Sequence, residues 1–264
     1  MRNMRHGEAL GSPDWRLPPG RVFVVLPAYN EAEGLGDLIR RIDGALFHEG
    51  VEYQVIVVDD GSTDSTAEVA KDYAAAIPLH LERHEVNQGL GATIRDGLRV
   101  AAELCSDRDI VIAMDADNTH TPGLMRSMVR RVHEGNDVVI ASRYQRGSNV
   151  RGLPLHRRFL SWAASILLRT LFPIRGVRDY TCSFRAYRGE VLKEAFRRYG
   201  DEFVSQGGFQ CMVDILLKLR TMDLIFREVP LILRYDYKLG ASKMPIWATI
   251  RRTLLLVLRR RLGG

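Results

Sequence analysis

Two carboxylates stand one residue apart, at Asp115 and Asp117, just after the apolar residues Ile110 to Met114 and just before Asn118, Thr119 and Pro122. An apolar run opening into turn-forming polar residues reads as a buried strand emptying into a loop. Carboxylates so placed cannot both lose water unless a cation or strong donors lie between them. One chemistry that fits is a Mg²⁺ or Mn²⁺ ion, which takes a few carboxylates and completes its shell with water and substrate phosphate oxygens. A nucleotide diphosphate leaving group needs such an ion as charge builds on its β-phosphate. The other is a reactive pair, with Asp115 attacking phosphorus and Asp117 serving as acid and base. An Asx-rich turn that only caps the next helix explains the same residues without chemistry.

The elements that must carry this pair alternate. Val22 to Leu26 is a first strand stopped by Pro27, and Glu31 to Phe47 carries a helical stripe of Leu35, Leu38, Ile39, Ile42 and Leu46. Val55 to Val58 is a second strand ending in Asp59-Asp60-Gly61-Ser62, after which Thr63 or Asp64 caps a helix through Tyr73. Leu79 to Leu81 makes a third strand, and Gly89-Leu90-Gly91 opens a helix, where two glycines permit close backbone approach to a ligand. The carboxylate pair ends the fourth strand, a helix near Gly123 to His133 follows, and Val138 to Ala141 is the fifth strand. Such alternation predicts a parallel sheet with helices on both faces and ligands beyond the strands' carboxyl ends. If the strand order is 3-2-1-4, the loops after the first and fourth strands flank one crevice. The pair also resembles the nucleophile loop of haloacid-dehalogenase-type phosphatases. That loop normally follows the first strand of its domain, however, and here three strand–helix units precede it.

The later chain changes character. Arg143 to Asn149 reads as a polar basic loop, and Leu160, Ala163, Ala164, Leu167, Leu168 and Leu171 mark a helix, with Trp162 read as core or interface. Phe209 to Leu219 reads as a helix containing Asp214. Leu224 to Phe226 and Val229 to Leu233 read as strands separated by a turn or bulge. The net charge is +6 over 264 residues, and arginines crowd the last fifteen. A basic half suits phosphate groups or anionic lipid; nucleic acid is not expected, since no helix-turn-helix, zinc-finger or RNA-binding signature occurs. Cys105, Cys182 and Cys211 have no metal-ligand spacing and suit a reducing compartment. No apolar run reaches the roughly twenty residues that cross a bilayer. The expected division is a flexible leader over residues 1–20, one domain over 21–243, and a basic amphipathic tail over 244–264. The expected location is cytoplasmic, with peripheral contact to the cytoplasmic membrane face through the Leu160 helix and the tail. For the tail, a core-packed, dimer-forming or solvated segment is the alternative, so a homodimer stays open.

LPAYNEAEGL, VVDDGSTDST, NQGLGATIRDGL, MDADNTHTP, ASRYQRG and EVPLILRYDYKLGASKM occur together and in this order. This set resembles family 2 glycosyltransferases, in particular the polyprenol-phosphate (dolichol-phosphate) mannosyltransferase branch, over about Arg21 to Lys243. The resemblance implies the GT-A fold, α/β with a Rossmann-like, mostly parallel sheet, as a single domain with a C-terminal acceptor-side subregion. It implies inverting, metal-dependent transfer of a hexose from a nucleotide-diphosphate sugar to a polyprenyl phosphate. Pro27, Tyr29, Glu31 and one of Asp59 or Asp60 would hold the nucleotide; Asp115 and Asp117 would be the DxD pair on Mg²⁺ or Mn²⁺, with Asp117 the most direct ligand. Arg143, Arg157 and Ser161 match positions that receive the lipid phosphate. Asp179 matches an acidic residue before the family's SGFRAY-like segment, and Asp214 one near the acceptor. Ser242 and Lys243 match the segment that closes over the donor. Thr119 stands where a third, amide-bearing metal contact is common. Tyr237 stands where an arginine is usual, with Arg234 or Lys238 near enough to compensate. A phosphate acceptor arrives ionised and needs orientation by Arg143 and Arg157. A soluble hydroxyl acceptor, the alternative, needs a base, for which Asp214 and Asp179 are the candidates. A non-catalytic nucleotide-sugar-binding protein is the reading outside enzymes.

Overall fold

Seven consecutive residues of β1 (Val22–Ala28) are buried, so this strand can only lie inside a sheet covered on both faces. The structure, a computed structural model, describes residues 20–47, 50–152, 155–237 and 246–262. Nearly all of the expected leader therefore lies outside the described residues. β1 pairs in parallel with β2 (Tyr53–Asp59) on one side and β4 (Ile110–Ala113) on the other, and β3 (Leu79–Arg83) flanks β2. The order is thus 3-2-1-4, as required for loops one and four to share a crevice.

Beyond β4 the sheet continues with β7 (Arg185–Arg188), β5 (Val138–Ser142) and β8 (Phe226–Pro230). β7 runs antiparallel to both β4 and β5, with Arg185 opposite Ala113 on one side and Ile140 on the other. The segment entering β7 therefore begins at the edge where β4 and β5 end. Sequence patterning does not reveal this strand, because Arg-Ala-Tyr-Arg is too short to show either an apolar run or an alternation. A two-stranded ribbon joins β6 (Asn149–Arg151) to β9 (Ile232–Arg234) outside the main sheet. The expected break after Phe226 falls instead at Leu231, whose N–H bonds the Ser142 carbonyl and turns the chain from one sheet to the other.

Helix α1 (Ala32–Phe47) adjoins α2 (Thr66–Ala74) and α4 (Met125–His133), whereas α3 (Leu90–Leu104) adjoins α6 (Gly189–Tyr199). At Gly97 an added Cβ would lie 2.5 Å from Val25 and 2.9 Å from Val58, so α3 presses directly on the central strands. The remaining long helices of the later chain are α5 (Leu155–Leu171), α7 (Cys211–Leu219) and α8 (Ile246–Leu262). The tail helix α8 packs on the domain through buried Leu256 and Val257, leaving Leu254, Leu255 and Leu258 exposed. Trp162 is about half exposed on α5 and so is not core.

Candidate active site

The exits of β1 and β2 are sewn together by side chains. Asn30, at φ 51°, turns the chain through the left-handed region that its amide tolerates better than most residues. Its Oδ1 accepts from the Thr63 N–H at 2.9 Å, and its own N–H donates to Ser62 Oγ at 2.9 Å. The Glu31 N–H donates to Thr66 Oγ1 at 2.9 Å, and Asp64 accepts from the N–H groups of Ala32 and Thr66. The polar cluster after β2 therefore fixes the Tyr29–Glu31 loop as well as starting α2.

The loop after β4 is held as firmly. Asn118 takes φ 62°, its amide donates to the Gly34 carbonyl at 2.7 Å, and Arg41 donates to its Oδ1 at 3.1 Å. Asp117 Oδ1 accepts from the Thr119 hydroxyl at 2.7 Å and from its N–H at 3.1 Å. Thr119 thus steers the Asp117 carboxylate. The Asp115 N–H donates to His120 Nδ1 at 3.3 Å, which makes that nitrogen an acceptor and leaves the proton of a neutral ring on Nε2. The loop is tied to β9 by the Arg234 N–H, which donates to the Thr119 carbonyl at 2.8 Å. Asp115 and Asp117 are each half-buried and line one cavity. Among the described residues, no group of three or more His, Cys, Asp or Glu is placed to hold a metal ion by itself. A pair of carboxylates fits an ion that takes its remaining ligands from water and substrate oxygens.

The two carboxylates after β2 separate. Asp59 is fully buried, accepts from the Ser62 N–H at 3.1 Å, and lies 3.2 Å from Arg83 Nε in an ionic contact without hydrogen-bond alignment. Of the two carboxylates of which one was expected at the nucleotide, Asp59 is not among the residues that line the cavity. Asp60 does line the cavity. It accepts from the N–H groups of Gln88 and Gly89 at 2.8 and 2.9 Å and bonds His84 Nδ1 at 2.8 Å. Asp60 therefore also fastens the glycine turn that begins α3. Gly89 faces the same cavity, but Gly91 approaches protein instead of ligand: its Cβ would lie 1.8 Å from the Gln206 carbonyl.

In the later half of the chain, Arg143 follows β5 and makes a bidentate pair with Asp179, Nε to Oδ2 at 2.7 Å and NH2 to Oδ1 at 2.6 Å. Asp179 is fully buried and also accepts from the N–H groups of Arg143 and Cys182. Burial alone would raise its pKa, but the Arg143 guanidinium reverses this and holds it below the usual carboxylate range. Asp214 is equally enclosed. It bonds Lys218 Nζ at 2.7 Å, Arg260 at 2.8 Å and Ser205 Oγ at 2.8 Å, and against the effect of burial these partners hold its pKa low. Neither carboxylate lines the cavity. Both were expected as base candidates; here one is the orienting partner of Arg143 and the other anchors α8 to α7.

Arg143 and Ser161 meet in the cavity with Pro27, Tyr29, Glu31 and the Asp115/Asp117 pair. Ser161 Oγ lies 3.0 Å from the Tyr144 hydroxyl, and the Arg143 guanidinium lies beside the Tyr144 ring, 5.7 Å from its centroid. The volume is about 720 Å³. One wall is apolar, built from Leu160, Ala164, Leu167 and Leu168 of α5 with Leu254 of α8. Cys182 and Ser183, which replace the usual Ser-Gly of the family's segment and were expected to alter the sugar or acceptor pocket, line the cavity, and sequence reading missed Thr181, Thr249 and Thr253 beside them. Only the unseen strand β7 and the docking of α8 bring them there. Arg234 forks onto Asp236, at 2.9 and 2.7 Å, and is not among the lining residues. The Arg157 and Tyr237 side chains, Lys238, Ser242 and Lys243 lie outside the described residues.

A mostly parallel sheet in the order 3-2-1-4, with a paired-aspartate loop at its carboxyl edge, defines the GT-A class of α/β proteins. A family model, glycosyl transferase family 2, matches residues 23–196. The chain belongs to that family. It is 33% identical over 80% of its length to a dolichol-phosphate mannosyltransferase of Pyrococcus furiosus, a match spanning only 55% of that protein. It is 32% identical to a polyprenol monophosphomannose synthase of Mycolicibacterium smegmatis, over 86% of this chain and 82% of the relative. An undecaprenyl-phosphate mannosyltransferase of Micrococcus luteus is 31% identical over 85% of this chain and 87% of its own. Among solved structures, glucosyl-3-phosphoglycerate synthase from Mycobacterium tuberculosis, in complex with Mn²⁺, UDP-glucose and phosphoglyceric acid, superposes with a TM-score of 0.66 at 22% identity. That match covers 98% of this chain and 86% of the other, a likeness of fold.

Proposed function

We propose that this chain transfers a hexose, with inversion, from a nucleotide-diphosphate sugar to a polyprenyl phosphate. One observation carries the reading. Arg143 and Ser161 stand where the polar carboxyl edge of the sheet meets an apolar wall, while both base candidates for a hydroxyl acceptor are sealed in ion pairs. An acceptor phosphate arrives already ionised, so its attack needs orientation and no proton abstraction. The names of the three curated relatives support the same acceptor class.

In this reading Tyr29, Glu31 and Asp60 line the nucleotide end. Asp115 and Asp117 would hold Mg²⁺ or Mn²⁺, which when bound supplies neutralising charge for the departing diphosphate. Arg143 and Ser161 orient the acceptor phosphate by charge-assisted bonds. The new bond joins an acceptor oxygen to sugar C1, and the bond from C1 to the diphosphate oxygen breaks on the opposite side. The apolar wall excludes water and accommodates the first isoprene units. Among the described residues no helix is long and apolar enough to cross a membrane. The exposed apolar side chains of α5 and α8 support peripheral contact with a bilayer.

The test pairs GDP-mannose, UDP-glucose and UDP-GlcNAc with three acceptors: a short polyprenyl phosphate, the corresponding polyprenol and 3-phosphoglycerate. Glycosyl polyprenyl phosphate is the expected product with one donor, and Asp117→Asn should lower turnover about a hundredfold or more. Transfer to polyprenol or to 3-phosphoglycerate in its place overturns the acceptor assignment.

A further inference from the structure

A second cavity, of about 880 Å³, lies behind α5 and shares no lining residue with the active-site cavity. Four arginines line it: Arg131 from α4, Arg169 from α5, Arg178 from the loop before β7, and Arg227 from β8. Two of these have their charge engaged only in part. Arg131 bonds Glu134 at 2.6 Å, and Arg178 reaches the Tyr144 carbonyl at 3.4 Å. Among the described residues, Arg169 and Arg227 have no hydrogen-bond or ion-pair partner. The one acid in the lining, Glu228, is buried with its oxygens turned inward, where they accept from the N–H groups of Arg178 and Asp179 and from the Gln145 amide. The arginine-bearing loop is seated tightly, since a Cβ on Gly176, at φ 87°, would lie 2.4 Å from the Phe226 carbonyl. The groove is therefore built and cationic, and it is separate from the active-site cavity.

The outer face of α5 leads into it. Phe159, Trp162, Ile166 and Arg169 recur at spacings of three and four, so they form one stripe down the helix. The first three are exposed apolar side chains, and Ile166 and Arg169 both line the groove. The opposite face of α5 walls the active-site cavity. An apolar stripe that ends among free arginines matches a bilayer surface, acyl chains at one end and phosphate at the other.

We infer that this groove binds the phosphate of an anionic lipid headgroup, seating α5 on the membrane with Phe159 and Trp162 in the acyl layer. The inference rests on the lipid-phosphate reading of the active site, but the flotation that decides it needs neither donor nor acceptor. Vesicles of phosphatidylcholine, alone or with phosphatidylglycerol, are floated with the full chain. Wild type should float with the anionic vesicles only. Arg169→Ala/Arg227→Ala should lose about twenty-fivefold in affinity, roughly a factor of five per arginine. It should keep its thermal midpoint and its transfer rate to a short-chain acceptor in solution. Phe159→Ser/Trp162→Ser should weaken flotation independently, whereas Arg40→Ala, on the far helix α1, should not. Equal flotation of the double-arginine variant and wild type overturns the inference. So does thermal stabilisation by inorganic phosphate, lost in that variant, when no variant or wild type floats: the groove would then be a site for soluble anions.

Discussion

Arg143 and Asp179 lie thirty-six residues apart in sequence and share two side-chain hydrogen bonds in the fold. This pairing complicates the simplest mutation. Arg143→Ala removes the acceptor-phosphate candidate, but it also strands a buried carboxylate and should cost about 3 kcal/mol of stability or more. Lost activity in that variant would mix the two effects. Arg143→Ala/Asp179→Asn removes both charges and keeps an oxygen for the backbone donors, so urea unfolding should show a large part of the stability restored. Transfer to polyprenyl phosphate should still be down roughly a hundredfold, because the acceptor is no longer aligned. Recovery of both together would mean that Arg143 serves the fold alone. Each residue was legible in the sequence through its motif, but their contact was not. A carboxylate that reads as a base and one that orients an arginine have the same letter, and only burial and partners separate them. The same holds for Asp59 and Asp60, adjacent in sequence yet divided between a buried strand end and the cavity.

At the scale of elements, hydrophobic patterning revealed the first half of the chain well, because β1, β2, β4 and β5 are apolar runs in a buried, mostly parallel sheet. It failed at β6 and β7, of three and four residues, whose existence depends on distant partners. Glycines show the same limit. Gly91 was legible as a point of close approach, but what approaches, the carbonyl of Gln206, was not. Backbone on both sides cannot yield as a flexible side chain can. Gly91→Ala should therefore destabilise by about 2 kcal/mol or more and pull the start of α3 away from the loop that follows α6. Gly44 is the control. It lies inside α1 with nothing within 4 Å of an added Cβ, so Gly44→Ala should stabilise by about 0.5–1 kcal/mol through helix propensity. Chemical-denaturation midpoints of the two variants should move in opposite directions. A shift of the same sign would mean that the α3 junction is looser than its contacts require.

For the molecule as a whole, a net charge of +6 was legible from composition, but the environments that set its pH response were not. Buried carboxylates here are of two kinds. Asp179 and Asp214 are held below their ordinary pKa, since against burial Arg143 acts on one and Lys218 with Arg260 on the other. Glu228 is raised, chiefly by burial, because the backbone N–H groups of Arg178 and Asp179 and the Ser142 hydroxyl offset less of the desolvation than a cation would, and the Asp179 charge adds to the rise. Linkage gives these groups opposite slopes. A depressed carboxyl contributes stability above its unfolded pKa, near 3.8, which is lost as pH falls below it. A raised carboxyl binds its proton more tightly in the folded chain, so stability falls as pH climbs from the unfolded value of 4.5 through the folded one. His133, lowered by burial and by Arg188, adds a loss as pH falls below about 6.5, so the sum of all groups hides each one. Difference curves separate them. The stability gap between wild type and Asp214→Asn should be wide at neutral pH and close below about pH 4. Glu228→Gln should improve relative to wild type as pH rises above about 4.5 and then level off. Urea midpoints from pH 3 to 8 read both curves, and parallel behaviour of the two variants would mean that Glu228 is held charged by a cation, as the two aspartates are.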